Sequence, residues 1–166
     1  MHKGSLNMNL ETLRKIAPER LQQQPVLAVL LALGSNYQAE YYLSRVREDL
    51  QELGKVQLST AFKNPDFTAT VETSKPDYTN QCVYLNLNSV MTLQQLQQSF
   101  ESFESDCHRC RQTPPTAIRQ VTMDIDILLI KLAYIDEWIV MANRYPFKAH
   151  ESAGIMELAA GSGVDF

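Results

Sequence analysis

Residues 26–33 read Val-Leu-Ala-Val-Leu-Leu-Ala-Leu, an apolar run with no polar interruption. A short run of this kind is typical of a strand that is buried on both faces. The run ends at Gly34-Ser35-Asn36, three residue types that favour a tight turn. We therefore predict a strand over residues 26–33 that the core covers on both sides.

Two amphipathic helices are predicted further along the chain. The first follows the turn and ends at Gly54, a residue type that commonly stops a helix. The second begins at a capping box formed by Thr92 and Gln95. Their apolar stripes consist of Leu43, Val46, Leu50 and Leu53 in the first helix and of Leu93, Leu96, Phe100, Phe103 and Cys107 in the second.

Three further strands are predicted over residues 56–63, 82–90 and 122–130, where residues alternate in polarity or form an apolar run. The resulting order is strand, helix, strand, strand, helix, strand, which is the order of a ferredoxin-like fold. We predict an α+β, ferredoxin-like βαββαβ sandwich. Its antiparallel sheet has helices on one face and an added edge strand over residues 134–141.

The chain length fits a single domain with appendages. The 166 residues fall within the roughly 100–200 residues that one domain usually takes. Residues 1–25 carry apolar residues at helical spacing and are predicted to form an N-terminal helical extension that ends at Pro25. Residues 26–160 are expected to form the main domain, with a last helix over residues 156–160, and residues 161–166 a short tail.

Composition and charge argue against several classes of protein. The 15 basic and 19 acidic side chains give a net charge of −4 without a basic cluster, so we expect no nucleic-acid partner. The longest apolar run, residues 26–33, is shorter than the ~20 residues that cross a bilayer, so no membrane partner is expected. Three cysteines do not suggest a disulfide framework, and no signal peptide is apparent. We expect a cytoplasmic protein that is a monomer or a weak homo-oligomer.

Two carboxylates interrupt the most informative strand. Asp124 and Asp126 lie two residues apart within residues 122–130, so they point to the same face. Neighbouring anions in a core strand repel each other and lose hydration, which is costly unless something compensates. A Mg²⁺ ion compensates the charge and takes the oxygen ligands that it prefers. The alternatives are a solvated pair on an open sheet face and a ladder with arginine partners.

Arginines surround the loop that precedes this strand. Arg109, Arg111 and Arg119 flank Pro114-Pro115. Arginines near a metal-bound triphosphate neutralise the charge that develops in phosphoryl transfer, although at helix ends and in loops they are commonly just solvated. The turn Gly34-Ser35-Asn36 is a weaker candidate site, in which backbone N–H groups would bind an anion.

Several stretches, in their order along the chain, resemble the 6-hydroxymethyl-7,8-dihydropterin pyrophosphokinase family. The resemblance covers roughly residues 26–160 and implies that pyrophosphate is transferred from ATP to a pterin alcohol in folate biosynthesis. The hydroxymethyl oxygen would attack the β-phosphorus, and AMP would leave. The matching stretches are Ala32-Leu33-Gly34-Ser35-Asn36, Pro76-Asp77-Tyr78-Thr79-Asn80, Glu104 with Arg109 and Arg111, and Asp124-Ile125-Asp126-Ile127-Leu128.

The resemblance also implies roles for individual residues. Asp124 and Asp126 are expected to hold two Mg²⁺ ions that bridge the phosphates of ATP, the co-substrate. Glu101 stands where the family usually has a glutamine. The expected site residues are Arg109, Arg111, Asp124 and Asp126 for catalysis, Tyr78, Asn80 and Glu101 for the pterin, and Arg119, Arg144 and His150 for the nucleotide.

Other positions depart from the family's pattern. Phe147 stands where the family has a histidine that contacts ATP, and His150 follows three residues later. Val121 and Ala153 stand where the family has arginines. These departures suggest a divergent member, a pyrophosphokinase of reduced activity. They leave open a catalytically impaired paralogue that binds a nucleotide or a pterin, and a ferredoxin-like assembly module.

Overall fold

Seven strands form one sheet in the part of the chain that the computed structural model describes, which comprises residues 10–64, 77–109 and 120–162. The strands are β1 (Lys15–Ile16), β2 (Pro25–Ser35), β3 (Gly54–Leu58), β4 (Phe62–Asn64), β5 (Tyr78–Thr92), β6 (Asp124–Leu132) and β7 (Trp138–Met141). Their spatial order is β1-β7-β6-β2-β5-β3, and β4 pairs with the beginning of β5. The neighbours β1 and β7 run parallel, and the other paired strands run antiparallel.

Three α-helices of 14 or 15 residues lie within the described ranges: α1 (Ala39–Leu53), α2 (Leu93–Asp106) and α3 (Ala149–Ser162). At the start of α2 the Thr92 hydroxyl accepts the Gln95 N–H at 3.1 Å, and the Thr92 N–H donates to the Gln95 side chain at 3.0 Å. The predicted capping box is thus confirmed. In these ranges no helix is long and apolar enough to cross a membrane.

Strand β2 lies in the middle of the sheet, as its unbroken apolar sequence requires. It pairs with β5 on one side and with β6 on the other. Residues 28–33 are buried, whereas Leu27, at an irregularity in both pairings, is 37% exposed. The prediction of a strand that is covered on both faces is confirmed.

The two faces of the sheet carry separate hydrophobic cores. Helices α1 and α2 pack on one face, where Leu31 of β2 belongs to the same core as Leu43 and Phe100. Helix α3 packs on the opposite face, in one core with Leu30 of β2 and its own Ile155. The structure confirms the α+β, ferredoxin-like fold. The predicted covering of one face holds for α1 and α2, and α3 is an addition on the other face.

The N-terminal part of the described chain differs from the helix predicted over residues 1–25. Residues 10–12 are helical, but Lys15–Ile16 form a strand and Pro18–Arg20 form a 3₁₀ turn. Proline has no N–H for a continuing helix and clashes with the preceding turn, so Pro18 prevents the helix from running through. The prediction for the residues before residue 10 lies outside the described residues.

The strand predicted over residues 56–63 is interrupted in the structure. Strand β3 ends at Leu58, and β4 begins at Phe62. Between them the Ser59 hydroxyl accepts the Cys82 N–H at 2.9 Å. A side-chain oxygen thereby takes a bond that a backbone carbonyl makes in a regular ladder, and the strand stops.

Helix α3 begins at Ala149, seven residues before the predicted start at residue 156. The Glu151 carboxylate accepts the Lys148 N–H at 2.9 Å and thereby satisfies a backbone donor at this end. The sequence analysis did not recognise Glu151 as a capping residue.

The remaining differences concern loops and strand ends. Strand β5 (Tyr78–Thr92) begins four residues before the strand predicted over residues 82–90 and ends two residues after it. The edge strand β7 is confirmed but occupies only the second half of residues 134–141, and β6 starts and ends two residues later than predicted. The loop around Pro114-Pro115 lies outside the described residues.

Candidate active site

Strand β6 places two carboxylates side by side. Asp124 and Asp126 point to one face of the sheet, and Ile125 and Ile127 point to the other, into the core under α1 and α2. The two aspartate side chains are 34% and 30% exposed, respectively. A ligand from solution can therefore reach both carboxylates.

An arginine from a different part of the chain approaches each aspartate. Arg109 Nε lies 3.1 Å from Asp124 Oδ1, and the Arg109 side chain is only 2% exposed. Arg144 Nη2 lies 2.7 Å from Asp126 Oδ1, and its side chain is 42% exposed. The structure thus brings four of the expected site residues together, and it has the arginine partners that the sequence analysis weighed as an alternative to a metal ion.

Tight turns position both arginines. After α2, His108 adopts a left-handed conformation with φ of 60°, and the Arg109 N–H donates to the Glu104 carbonyl at 3.1 Å. After β7, the Arg144 N–H donates to the Met141 carbonyl at 3.0 Å. These backbone hydrogen bonds fix the position of each arginine at the end of a helix or strand.

The electrostatics of the aspartate pair favour a bound cation. Burial raises the pKa of the Asp126 carboxyl, the Arg144 guanidinium opposes the shift, and the Asp124 carboxylate adds to it. In the described ranges no group of three or more His, Cys, Asp or Glu side chains is arranged to hold a metal ion. Mg²⁺ needs only one or two carboxylates when water and substrate phosphates complete its shell. The donor set therefore fits Mg²⁺ that binds together with a polyphosphate.

A cleft of about 540 Å³ opens beside the part of β6 that carries the aspartates. Strand β7 pairs with β6 only at residues 129–131, so the cleft occupies the place where β7 does not extend. Helix α2 forms one wall, and the segment after β7 forms the other. Its charged lining residues are Glu101, Glu104, Asp124, Asp126, Arg144 and Lys148, and its apolar ones include Pro18, Phe100, Ile127 and Met141.

Lys148 is a cation of this cleft that the sequence analysis missed. It precedes α3, lines the cleft and lowers the pKa of Asp126 against the raising effect of burial. The one available signal was its position, four residues after Arg144 in the segment that the family resemblance had already marked. The site thus has two cations, Arg144 and Lys148, on the wall opposite α2.

The expected pterin-binding residues lie across β2 from the aspartates. Gly34 of β2 pairs with Asn80 on one side and with Asp124 on the other. A Cβ at Gly34 would lie 3.1 Å from Asn80 Oδ1 and 3.9 Å from Tyr78 Cδ1. Because Gly34 has no side chain, the side chains of Asn80 and Tyr78 can lie close against the backbone of β2 at this point.

The turn after β2 has a different role from the anion site considered in the sequence analysis. The Asn36 N–H donates to the Val121 carbonyl at 2.8 Å, and Asn36 Oδ1 accepts the Val121 N–H at 2.6 Å. The Ser35 hydroxyl also contacts the Val121 carbonyl, at 3.3 Å. The anion-site interpretation is wrong for the Asn36 N–H, since this turn holds the segment that leads into β6.

Helix α2 contributes two glutamates of different kinds. Glu104 is buried, and its Oε2 atom accepts the N–H of Ile125 at 2.8 Å. Ile125 is the residue between the two aspartates. Glu101 is exposed and lines the cleft from the α2 wall, so it shares the cleft with the aspartates and Arg144. Sequence reasoning placed Glu101 with the pterin and gave no role to the Glu104 carboxylate.

Phe147, which stands where the family has an ATP-binding histidine, and the nearby His150, which was expected to bind the nucleotide, do not line the cleft. Phe147 is half-buried and stacks edge-on against Tyr145, with ring centroids 5.6 Å apart. His150 lies in the first turn of α3, and burial lowers its pKa. Arg111 and Arg119 lie outside the described residues.

Comparison with known proteins identifies the family of this chain. The family model of 7,8-dihydro-6-hydroxymethylpterin-pyrophosphokinase matches residues 30–150, a range that contains both aspartates and both arginines. A search of curated proteins found no match. The family match covers most of the chain, and the chain therefore belongs to the 7,8-dihydro-6-hydroxymethylpterin-pyrophosphokinase family.

Proposed function

We propose that this chain transfers pyrophosphate from ATP to 6-hydroxymethyl-7,8-dihydropterin in a Mg²⁺-dependent reaction that releases AMP. The family to which the chain belongs consists of pyrophosphokinases of folate biosynthesis. The observation that carries the proposal is the pair Asp124 and Asp126 at the side of a cleft, with Arg109 and Arg144 within ion-pair distance. We assign the catalytic domain to residues 26–160.

ATP is assigned to the cleft between α2 and the segment after β7. The triphosphate would lie against Arg144 and Lys148, two cations that also border the aspartates. Two Mg²⁺ ions, when bound by Asp124 and Asp126, would neutralise the phosphate charge and orient the reacting groups. We assign Arg119 and His150 to the nucleotide as well.

The pterin is assigned to the opposite side of Gly34, next to Tyr78 and Asn80. This placement lets the pterin hydroxymethyl group approach the β-phosphorus from the side of β5 while ATP lies beside β6. The chain's contribution is to hold the two substrates in line and to neutralise charge, without a covalent intermediate. We assign Arg109 and Arg111 to charge neutralisation at the transferring group and Glu101 to substrate binding.

A second function is favoured by one observation. Val121 stands where the family has an arginine, and its side chain is fully buried beside the Asn36 turn. A cation is therefore missing at a position where the fold now needs an apolar residue. A paralogue of reduced activity, or one that binds a nucleotide or a pterin without turnover, would tolerate this change. The remaining alternative, a ferredoxin-like assembly module, has no comparable observation in its favour.

The decisive experiment is incubation of the full chain with ATP, Mg²⁺ and 6-hydroxymethyl-7,8-dihydropterin, followed by chromatography of the nucleotides. We expect AMP that requires the pterin and disappears when Mg²⁺ is chelated. Folded protein that forms no AMP but binds ATP or the pterin in calorimetry would favour the binding paralogue, and protein that forms no AMP and binds neither compound would contradict both functions.

A matched pair of variants tests the role of the aspartates in the same assay. Asp124→Asn removes one carboxylate charge and should lower AMP formation by about two orders of magnitude or more. Asp136→Asn changes the same residue type in the turn before β7, where the side chain is 97% exposed and pairs with Lys131. It should leave the rate unchanged, and equal effects of the two changes would argue against a metal site at Asp124.

A further inference from the structure

We propose that Pro18, which lies in the N-terminal residues 10–24 here called the strap, forms part of the nucleotide site as a wall for the base of the bound nucleotide. The proposal rests on the proposed function, because it names ATP as the occupant of the cleft. It goes beyond the family match, which begins only at residue 30.

The strap passes around the edge of the sheet from one face to the other. Leu10 is buried in the core under α3, and Leu21 is buried in the core under α1 and α2. Between them, Lys15 and Ile16 pair in parallel with Val140 and Met141 of β7. Both ends of the strap are thus anchored, and its middle crosses the edge next to the cleft.

The strap is bonded to both walls of the cleft. On the β7 side, the Val140 N–H donates to the Arg14 carbonyl at 2.9 Å, and the Ala142 N–H donates to the Ile16 carbonyl at 3.0 Å. This wall continues to Arg144. The path of the strap therefore influences where Arg144 stands.

On the opposite side the strap accepts hydrogen bonds from the start of α2. The Leu93 N–H donates to the Gln24 carbonyl at 3.2 Å, and the Gln94 N–H donates to the Gln22 carbonyl at 3.1 Å. A helix start has unpaired N–H groups that need such acceptors. The strap therefore helps to set the separation between α2 and the segment after β7.

Pro18 is the residue of the strap that faces the cleft. It is buried, and it lines the cleft together with Phe100, Ile127 and Met141. Phe100, Ile127 and Met141 are 3%, 8% and 1% exposed, so together with the Pro18 ring they form a narrow apolar surface in a cleft whose other lining residues are mostly polar. A flat heteroaromatic ring is the part of ATP that suits such a surface, because the triphosphate needs the charged residues of the same cleft.

The test compares two probes that differ in whether they carry a base. Calorimetry would measure the dissociation constants of α,β-methylene-ATP and of inorganic tripolyphosphate, both with Mg²⁺, for the full-length protein. Pro18→Trp places a large ring in the apolar part of the cleft. We expect this change to weaken the binding of the ATP analogue by about tenfold or more and the binding of tripolyphosphate by less than about twofold.

Two further variants serve as a control and as a milder substitution. Glu19→Ala alters the next residue of the same 3₁₀ turn, which is exposed and does not line the cleft, and should change neither constant. Pro18→Ala is a milder change for the case that Pro18→Trp does not fold. It should weaken the binding of the ATP analogue by about threefold and leave the binding of tripolyphosphate unaffected.

The possible outcomes separate this proposal from the proposed function. The role of Pro18 is overturned if the wild type binds both probes and the Pro18 variants bind them with unchanged affinity. The same holds if the variants lose affinity for both probes by the same factor. In either case the proposed function stands. If the wild type binds neither probe, the proposed function fails and the strap proposal fails with it.

Discussion

Arg144 Nη2 lies 2.7 Å from Asp126 Oδ1, in a pair that is partly open to solvent on both sides. Removal of the charge in Arg144→Met should weaken binding of an ATP analogue about 10- to 100-fold, because a charged hydrogen bond to phosphate contributes about 1.5–3 kcal/mol. Calorimetry measures the effect. Arg14→Met is the matched control, since Arg14 pairs with Glu137 on the surface and does not line the cleft.

Loss of the Glu104 carboxylate should destabilise the protein. Its Oε2 atom accepts the buried Ile125 N–H at 2.8 Å, so Glu104→Ala leaves a buried donor without this partner and should lower the free energy of unfolding by about 2 kcal/mol. Denaturant unfolding measures the change. Glu101→Ala, an exposed site three residues earlier in α2, should have little effect. Equal stability of the two variants would contradict this role of Glu104.

Two glycines of α3 should respond in opposite directions to the same substitution. A Cβ at Gly154 would lie 2.4 Å from Cys82 Sγ and 2.7 Å from Cys82 Cβ, so Gly154→Ala forces helix and sheet apart and should cost about 1–3 kcal/mol of stability. At Gly161 a Cβ would meet nothing within 4 Å, and Gly161→Ala should stabilise by about 0.5 kcal/mol. Thermal unfolding of both variants checks the pair, and a shared direction would refute the packing argument.

The Cys82 thiol should make the fold sensitive to alkali. Burial, with smaller effects from Glu151 and Glu157, raises its pKa from 9.0 to about 12. The unfolded chain therefore releases the thiol proton first as the pH rises above 9, and stability falls between these two values. Thiol reagents should not label Cys82 in the folded protein at about pH 8, where the thiol is protonated and buried.

The Cys82→Ala variant isolates this contribution. It loses a buried sulfur and should be less stable than the wild type at neutral pH, but its stability should decline less on raising the pH from about 9 to about 10.5, by roughly 1–2 kcal/mol. Denaturant unfolding at these values gives the comparison. An equal decline in both proteins would show that other groups account for the alkaline sensitivity.

The features that the sequence predicted well depend on local pattern. The apolar run of β2, the capping box of α2 and the paired aspartates of β6 each follow from the spacing of neighbouring residues. Periodicity failed for residues 10–25, because Leu10 and Leu21 contact two different cores although their spacing fits one helical face. A strap and a helix can share the same apolar spacing.

The unpredicted parts of the site depend on contacts between distant segments. The Glu104 carboxylate bonds to the Ile125 backbone, and no sequence pattern indicates that partner. Lys148 enters the cleft because the chain turns after β7 and α3 starts early at Ala149. The residue types were visible in the sequence, but their positions relative to the aspartates required the fold.

The early end of β7 has a consequence for the solubility of the protein. A strand edge that lacks a neighbour is a template on which a second chain can add. Because β7 pairs with β6 only at residues 129–131, this edge lies open beside the aspartates, and the Glu104 carboxylate occupies the Ile125 N–H there. One buried side chain thus hinders intermolecular strand addition at the edge that borders the cleft.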